Sequence, residues 1–177
     1  MHRRFCRVLP GLLSSLLLSL SAQAQGARVL TWDDLIPPDT PKIAPVMTPL
    51  HDLSKIGTAL AEDAPAARQQ APHAPVVGAL DGKTVRLPGY IVPLEVNEDG
   101  RTTDFLLVPY YGACIHVPPP PSNQIVHVTS ERGVKVEELY QPYWIEGPMQ
   151  VKPSTSELAE AGYQMAAQTI DVYELPE

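Results

Sequence analysis

Two cysteines, Cys6 and Cys114, are all that 177 residues carry, too few for a disulfide framework. They do not form a C-x-x-C pair, so thiol–disulfide oxidoreductase chemistry is not expected. Basic residues are also scarce: 13 Lys and Arg stand against 20 Asp and Glu, a net charge of −7. That balance disfavours nucleic acid and anionic membrane surfaces as partners and is compatible with cation binding. Internal repeats are absent. Long apolar runs are missing too. The longest, Val8–Leu20, is about 13 residues, short of the roughly 20 that cross a bilayer as a helix.

What surrounds that run has a different meaning. Arg3, Arg4 and Arg7 precede it and Ala22-Gln23-Ala24 follows it as an A-x-A cleavage site, so residues 1–24 read as a secretory signal peptide. Cleavage after Ala24 predicts a periplasmic protein with no transmembrane segment. It leaves 153 residues, enough for one domain with a real core. Three arginines and no acids are removed, which takes the net charge to −10. Cys6 leaves with the signal, and Cys114 then has no intramolecular partner. A lone thiol in an oxidising compartment is buried and inert, a metal ligand, a reactive group, or paired between chains.

Composition divides the remainder. Residues 25–75 are rich in Pro and Ala and read as an extended segment. Thr31 and Asp34 fit a capping box ahead of Pro37-Pro38, and Trp32, Leu35 and Ile36 are placed to pack onto the main domain. Pro41, Pro45 and Pro49 forbid a helix there. A short helix is expected over Leu53–Gln69, then a loose Ala/Pro/Gln linker over Ala64–Pro75. Residues 76–177 read as strands: Thr84–Glu95, Asp104–Tyr111, Gln124–Val128, Tyr143–Val151 and Gln164–Tyr173. Asn97-Glu98-Asp99-Gly100 is a turn signal between the first two. Ser154 and Glu157 suggest a capping box, and Gly162 a helix end, so a short helix is expected over Pro153–Gly162. The fold class is therefore mainly β: a small five-stranded antiparallel barrel of the OB-like type with one short helix. Gly89 and Gly147 sit where a tightly coiled barrel bends.

Chemistry-bearing residues concentrate in Gly112–Val128, where four prolines, Pro118–Pro121, separate two β-type segments. Cys114 and His116 stand at i and i+2, so on a strand they share a face. A symmetric six-residue connection over Pro118–Asn123 would set Cys114 opposite His127, placing Cys114, His116 and His127 together. Such a Cys/His/His set suits zinc or copper. A slip of one residue in register would remove His127 from it. The same residues admit two other readings: a peptide-recognition role with a buried thiol, or Cys114–His127 nucleophilic chemistry. Tyr110, Tyr111, Tyr140, Tyr143 and Trp144 are candidates for lining a groove. His51 and His73 lie in Pro/Ala-rich stretches, and Glu137 and Glu138 belong to the acidic surface.

Several stretches resemble the DUF3299 family of exported bacterial proteins. They are Thr31–Pro37, Gly89–Leu94, Phe105–Tyr110 continuing through Gly112–Val117 and the prolines to Gln124, and Trp144–Gly147. The resemblance implies a periplasmic or lipid-anchored protein, often encoded beside ABC-transporter components and in some bacteria with metal-homeostasis genes. It implies no assigned reaction. Lipid-anchored members carry a cysteine after the apolar run, which this chain lacks. The expected function is then a non-enzymatic accessory protein of an ABC-type envelope transporter, binding zinc through Cys114, His116 and His127. The alternatives are a structural or peptide-binding adaptor for an envelope permease with an inert buried cysteine, and a Cys/His hydrolase or acyltransferase.

Overall fold

Alternation of apolar and polar residues along Thr84–Val96 makes the longest strand, and the rest of the fold is arranged around it. The protein is described here by a computed structural model over residues 26–44, 68–114, 117–137 and 140–174. The expected signal segment, most of the expected Leu53–Gln69 helix, His51, His116 and Glu138 lie outside the described residues. The strands are β1 (Arg28–Val29), β2 (Thr84–Val96), β3 (Thr102–Val108), β4 (Val126–Val134), β5 (Pro142–Gln150), β6 (Ser154–Thr155), β7 (Glu160–Ala161), β8 (Tyr163–Ala166) and β9 (Thr169–Val172).

Strand β2 pairs with β3 along one edge and β5 along the other. The order β2-β3-β4-β8-β5 therefore returns to its start and closes a five-stranded barrel. All of these pairings are antiparallel except β4–β8, which is parallel. The barrel is thus mixed rather than purely antiparallel, with the Greek-key character of the OB type. β8 runs parallel to β4 because β5 and then the short β6–β7 hairpin intervene before the chain returns to it. A glycine is needed where strands approach closely. A Cβ on Gly89 would lie 2.8 Å from the Val108 carbonyl oxygen.

Inward residues of every barrel strand fill the interior, among them Val85, Leu87, Phe105, Leu107, Val126, Ile145, Met149 and Tyr163. Leu30 and Leu35 from the N-terminal segment join this core, almost wholly buried. The capping box is present as expected, on a short 3₁₀ turn over Trp32–Leu35. Three hydrogen bonds fasten the segment: Trp32 Nε1 donates to the Pro88 carbonyl (2.7 Å), Tyr163 Oη to the Leu35 carbonyl (2.8 Å), and Gln124 Nε2 to the Trp32 carbonyl (2.9 Å).

A second apolar cluster covers the outer face of β2 and β3. Val92, Leu106, Val108, Ala113, Ile125, Ala159 and Ala161 form it, with Cys114 and Tyr110 packed against it. Its lid includes the β6–β7 hairpin. This corrects the expected Pro153–Gly162 helix: Ser154 pairs with Ala161 and Thr155 with Glu160. The hydroxyls that argued for a helix are used otherwise. Ser154 Oγ bonds to the His127 ring, and Ser156 Oγ accepts from the Leu158 and Ala159 amides while donating to the Ala159 carbonyl. Serine competing in this way for nearby backbone groups favours a turn over a helix.

Candidate functional site

The proline run does not form a hairpin with Cys114 facing His127. Instead the Ala113 amide approaches the Tyr110 carbonyl, and the Val117 amide donates to the Gly112 carbonyl at 3.1 Å. Gly112 has φ 81° and Cys114 has φ 66°, the left-handed region that a non-glycine residue rarely adopts. Cys114 is therefore not on a strand, and the i, i+2 argument does not hold for it. The antiparallel partner of β4 is β3, and His127 stands opposite Leu106 on that side and Gln164 on the other. The expected register is corrected accordingly.

The Cys114 sulfur has an apolar setting. Burial pushes its thiol up from 9.0 to about 12. The free thiolate is the nucleophile, so this environment works against nucleophilic chemistry at Cys114. His127 is half-buried on the outer face of β4, and both ring nitrogens are engaged. Nε2 lies 2.6 Å from Asp104 Oδ1 and Nδ1 lies 2.9 Å from Ser154 Oγ. No hydrogen bond joins Cys114 to His127 among the described residues, and no group of three His, Cys, Asp or Glu there is placed to hold a metal ion. His116 lies outside the described residues.

What the proline run does build is one wall of a groove. Pro119, Pro120 and Pro121 are buried, clamped by the stretch that the sequence suggested was a loose linker. The Gln70 amide donates to the Pro119 carbonyl, and the Ser122 amide to the Ala71 carbonyl. Gln69 Nε2 reaches the carbonyls of Pro120 and Glu160. Asn123 Nδ2 donates to the Pro75 carbonyl at 2.8 Å. With the backbone polar groups of these loops paired to each other, the surface they leave is apolar. A groove of about 450 Å³ results, lined by Ile36, Pro41, Ile43, Pro109, Tyr110 and Pro120, with Asp33, Lys42 and His73 also along it. That is within the size range of ligand pockets.

Two groups in the groove stand out. Ile43 is 48 % exposed although aliphatic. The Tyr110 hydroxyl is buried and has no hydrogen-bond partner among the described residues. Burial first, and the Cys114 sulfur second, push its phenol up. An unpaired buried hydroxyl costs on the order of 1–3 kcal/mol.

The other aromatic candidates are dispersed. Tyr143 is in the core, and Trp144 lies tilted against Tyr173, ring centroids 5.0 Å apart, with the Arg86 guanidinium 4.9 Å from the Trp144 ring. Tyr111 and Tyr140 are exposed on the surface, Tyr111 tilted against Tyr90. The groove was missed in the sequence because its walls come from three separate stretches. The tetraproline and Tyr110 were the visible part of it.

Similarity to known proteins agrees with this architecture. A crystal structure of a DUF3299 family protein from Pseudomonas aeruginosa PAO1 shares 57% identity and superposes with a TM-score of 0.74. The match covers 86% of this chain and 100% of that one. No curated protein matches the chain. The family profile described as a protein of unknown function (DUF3299) matches residues 32–172, nearly the whole barrel with its N-terminal strap, and this chain belongs to that family.

Proposed function

We propose that this protein is an exported accessory protein that acts by binding, and that its groove takes an extended, proline-compatible peptide segment of an envelope partner such as an ABC-type permease. The observation that carries this reading is the groove itself: prolines, aliphatic side chains and a tyrosine in hydrogen-bonded loops. Aromatic and proline-lined grooves suit peptides in the polyproline II conformation, which lose little conformational entropy on binding. In this reading Cys114 is a packing residue beneath Tyr110, in preference to a zinc ligand with His116 and His127.

An array of 12-residue peptides tiling the extracytoplasmic loops of ABC-type permeases from the same genome tests it. A subset is expected to bind the purified protein, and Ile43→Asp is expected to weaken that binding about tenfold or more with little change in melting temperature. Equal binding by wild type and variant would refute the groove as the site. Zinc titration against a competing chelator separates the metal reading: tight binding abolished by Cys114→Ser would restore it.

A further inference from the structure

The side chains of Ser154, His127 and Asp104 form one continuous hydrogen-bonded chain on the outer face of the barrel. A carboxylate only accepts hydrogen bonds, so His127 Nε2 carries the proton it donates to Asp104 Oδ1. In the neutral ring the lone pair is then on Nδ1, and it accepts the Ser154 hydroxyl. This is the order in which an alcohol nucleophile, an imidazole base and an orienting carboxylate operate, with the ring turned end for end relative to trypsin-type sites.

The placement is specific. Asp104 lies beside register shifts in both the β2–β3 and β3–β4 ladders, and bulges of this kind re-aim side chains and recur next to active sites. Asp104 pairs with Thr129 and His127 with Leu106, so the two are diagonal neighbours on one face. Ser154 is brought over from β6, half-buried, while the His127 and Asp104 side chains remain 18% and 35% exposed. Gln164, opposite His127 on β8, donates its amide to the Pro153 carbonyl at 3.1 Å, which ties the residue before Ser154 to the strand beside His127. Glu95 stands opposite Asp104 as the other carboxylate nearby.

We infer that Ser154, His127 and Asp104 constitute an esterase-type site, with acyl esters as its substrate class. Ser154 Oγ bonds to the acyl carbon while its proton passes to His127 Nδ1. The ester C–O bond then breaks, and the departing alcohol takes that proton. Water attacks the acyl-serine, delivers a proton to Nδ1, and releases the acid as Oγ regains it. Asp104 is a positioning residue that fixes the ring tautomer. None of the three residues lines the groove, so the inference stands independently of the peptide-binding reading.

A fluorophosphonate probe with peptide mapping tests it on the purified protein. The expected result is a covalent adduct on Ser154, absent in Ser154→Ala, and formed about 100-fold or more slowly in His127→Ala and Asp104→Asn. Circular dichroism confirms that each variant is folded. The wild-type measurement needs no variant, and a folded protein without adduct after prolonged exposure overturns the inference. Adducts spread over Ser122, Ser130 and Ser156, or Asp104→Asn labelling at the wild-type rate, overturn it as well.

Discussion

At Cys114 the backbone and the surroundings both oppose the chemistry that a thiol offers. Its φ of 66° takes it off any strand, and its burial holds the proton on sulfur. The unfolded chain releases that proton near pH 9.0, whereas the native state keeps it until about pH 12. The unfolded state therefore binds fewer protons in this window. Stability is full below it and is lost as pH rises through it, at up to about 1.4 kcal/mol per pH unit from this group. Denaturant titrations at a series of alkaline pH values are expected to show this component in the wild type and not in Cys114→Ala. At neutral pH a disulfide reagent is expected to modify native Cys114 far more slowly than the thiol in denaturant. Leu35 is a contrasting residue, wholly buried at the end of a short 3₁₀ turn. Leu35→Ala is expected to cost about 2–5 kcal/mol in chemical denaturation, because the cavity lies between the strap and the barrel.

Among the elements, what could be read in the sequence is what depends on local pattern. Thr84–Glu95 and Tyr143–Val151 alternate in polarity and became β2 and β5 within a residue or two of the expected ends. Gly100 adopts φ 72° in the predicted turn, where the Asn97 side chain accepts from the Asp99 and Arg101 amides. Gln164–Tyr173 reads as one strand but is two, since β8 pairs with β4 and β5 while β9 pairs with β5 alone. The Pro153–Gly162 expectation failed for a long-range reason. Ser154 looks like a helix cap only until His127, 27 residues away, is brought to its hydroxyl. The Cys114–His127 pairing failed in the same way, because β4 chose β3 rather than the segment just before the prolines. Gly162 illustrates how a correct residue acquires a different role. It ends no helix; its amide donates to the Ser122 carbonyl at 2.7 Å, and a Cβ there would lie 2.8 Å from Val76 Cγ1. Gly162→Ala is expected to destabilise the protein by about 1–3 kcal/mol through overpacking, measurable as a shift of the denaturation midpoint with unchanged slope.

For the whole molecule, a closed barrel has no free edge among its five strands, and the groove is built from its loops. The N-terminal strap, residues 69–75 and the proline run are stitched to one another and bound the groove together. Such an arrangement positions a site on a rigid frame without using any barrel strand as its wall. The exposed ion pairs Arg28–Asp34 and Lys42–Asp33 lie on this strap, and each is worth at most about 1 kcal/mol. Apolar burial of Leu30 and Leu35 does more to hold it. The central claim is that this groove, and no other surface, receives an extended peptide. Amide chemical-shift mapping of the protein with an array-selected peptide tests it most directly. The account predicts perturbations concentrated on residues 36–44, 71–75, 109–110 and 120–124, largely lost in Ile43→Asp. Perturbations confined to the separate surface around Arg101, Ser130 and Thr169, or persisting unchanged in the variant, would contradict it.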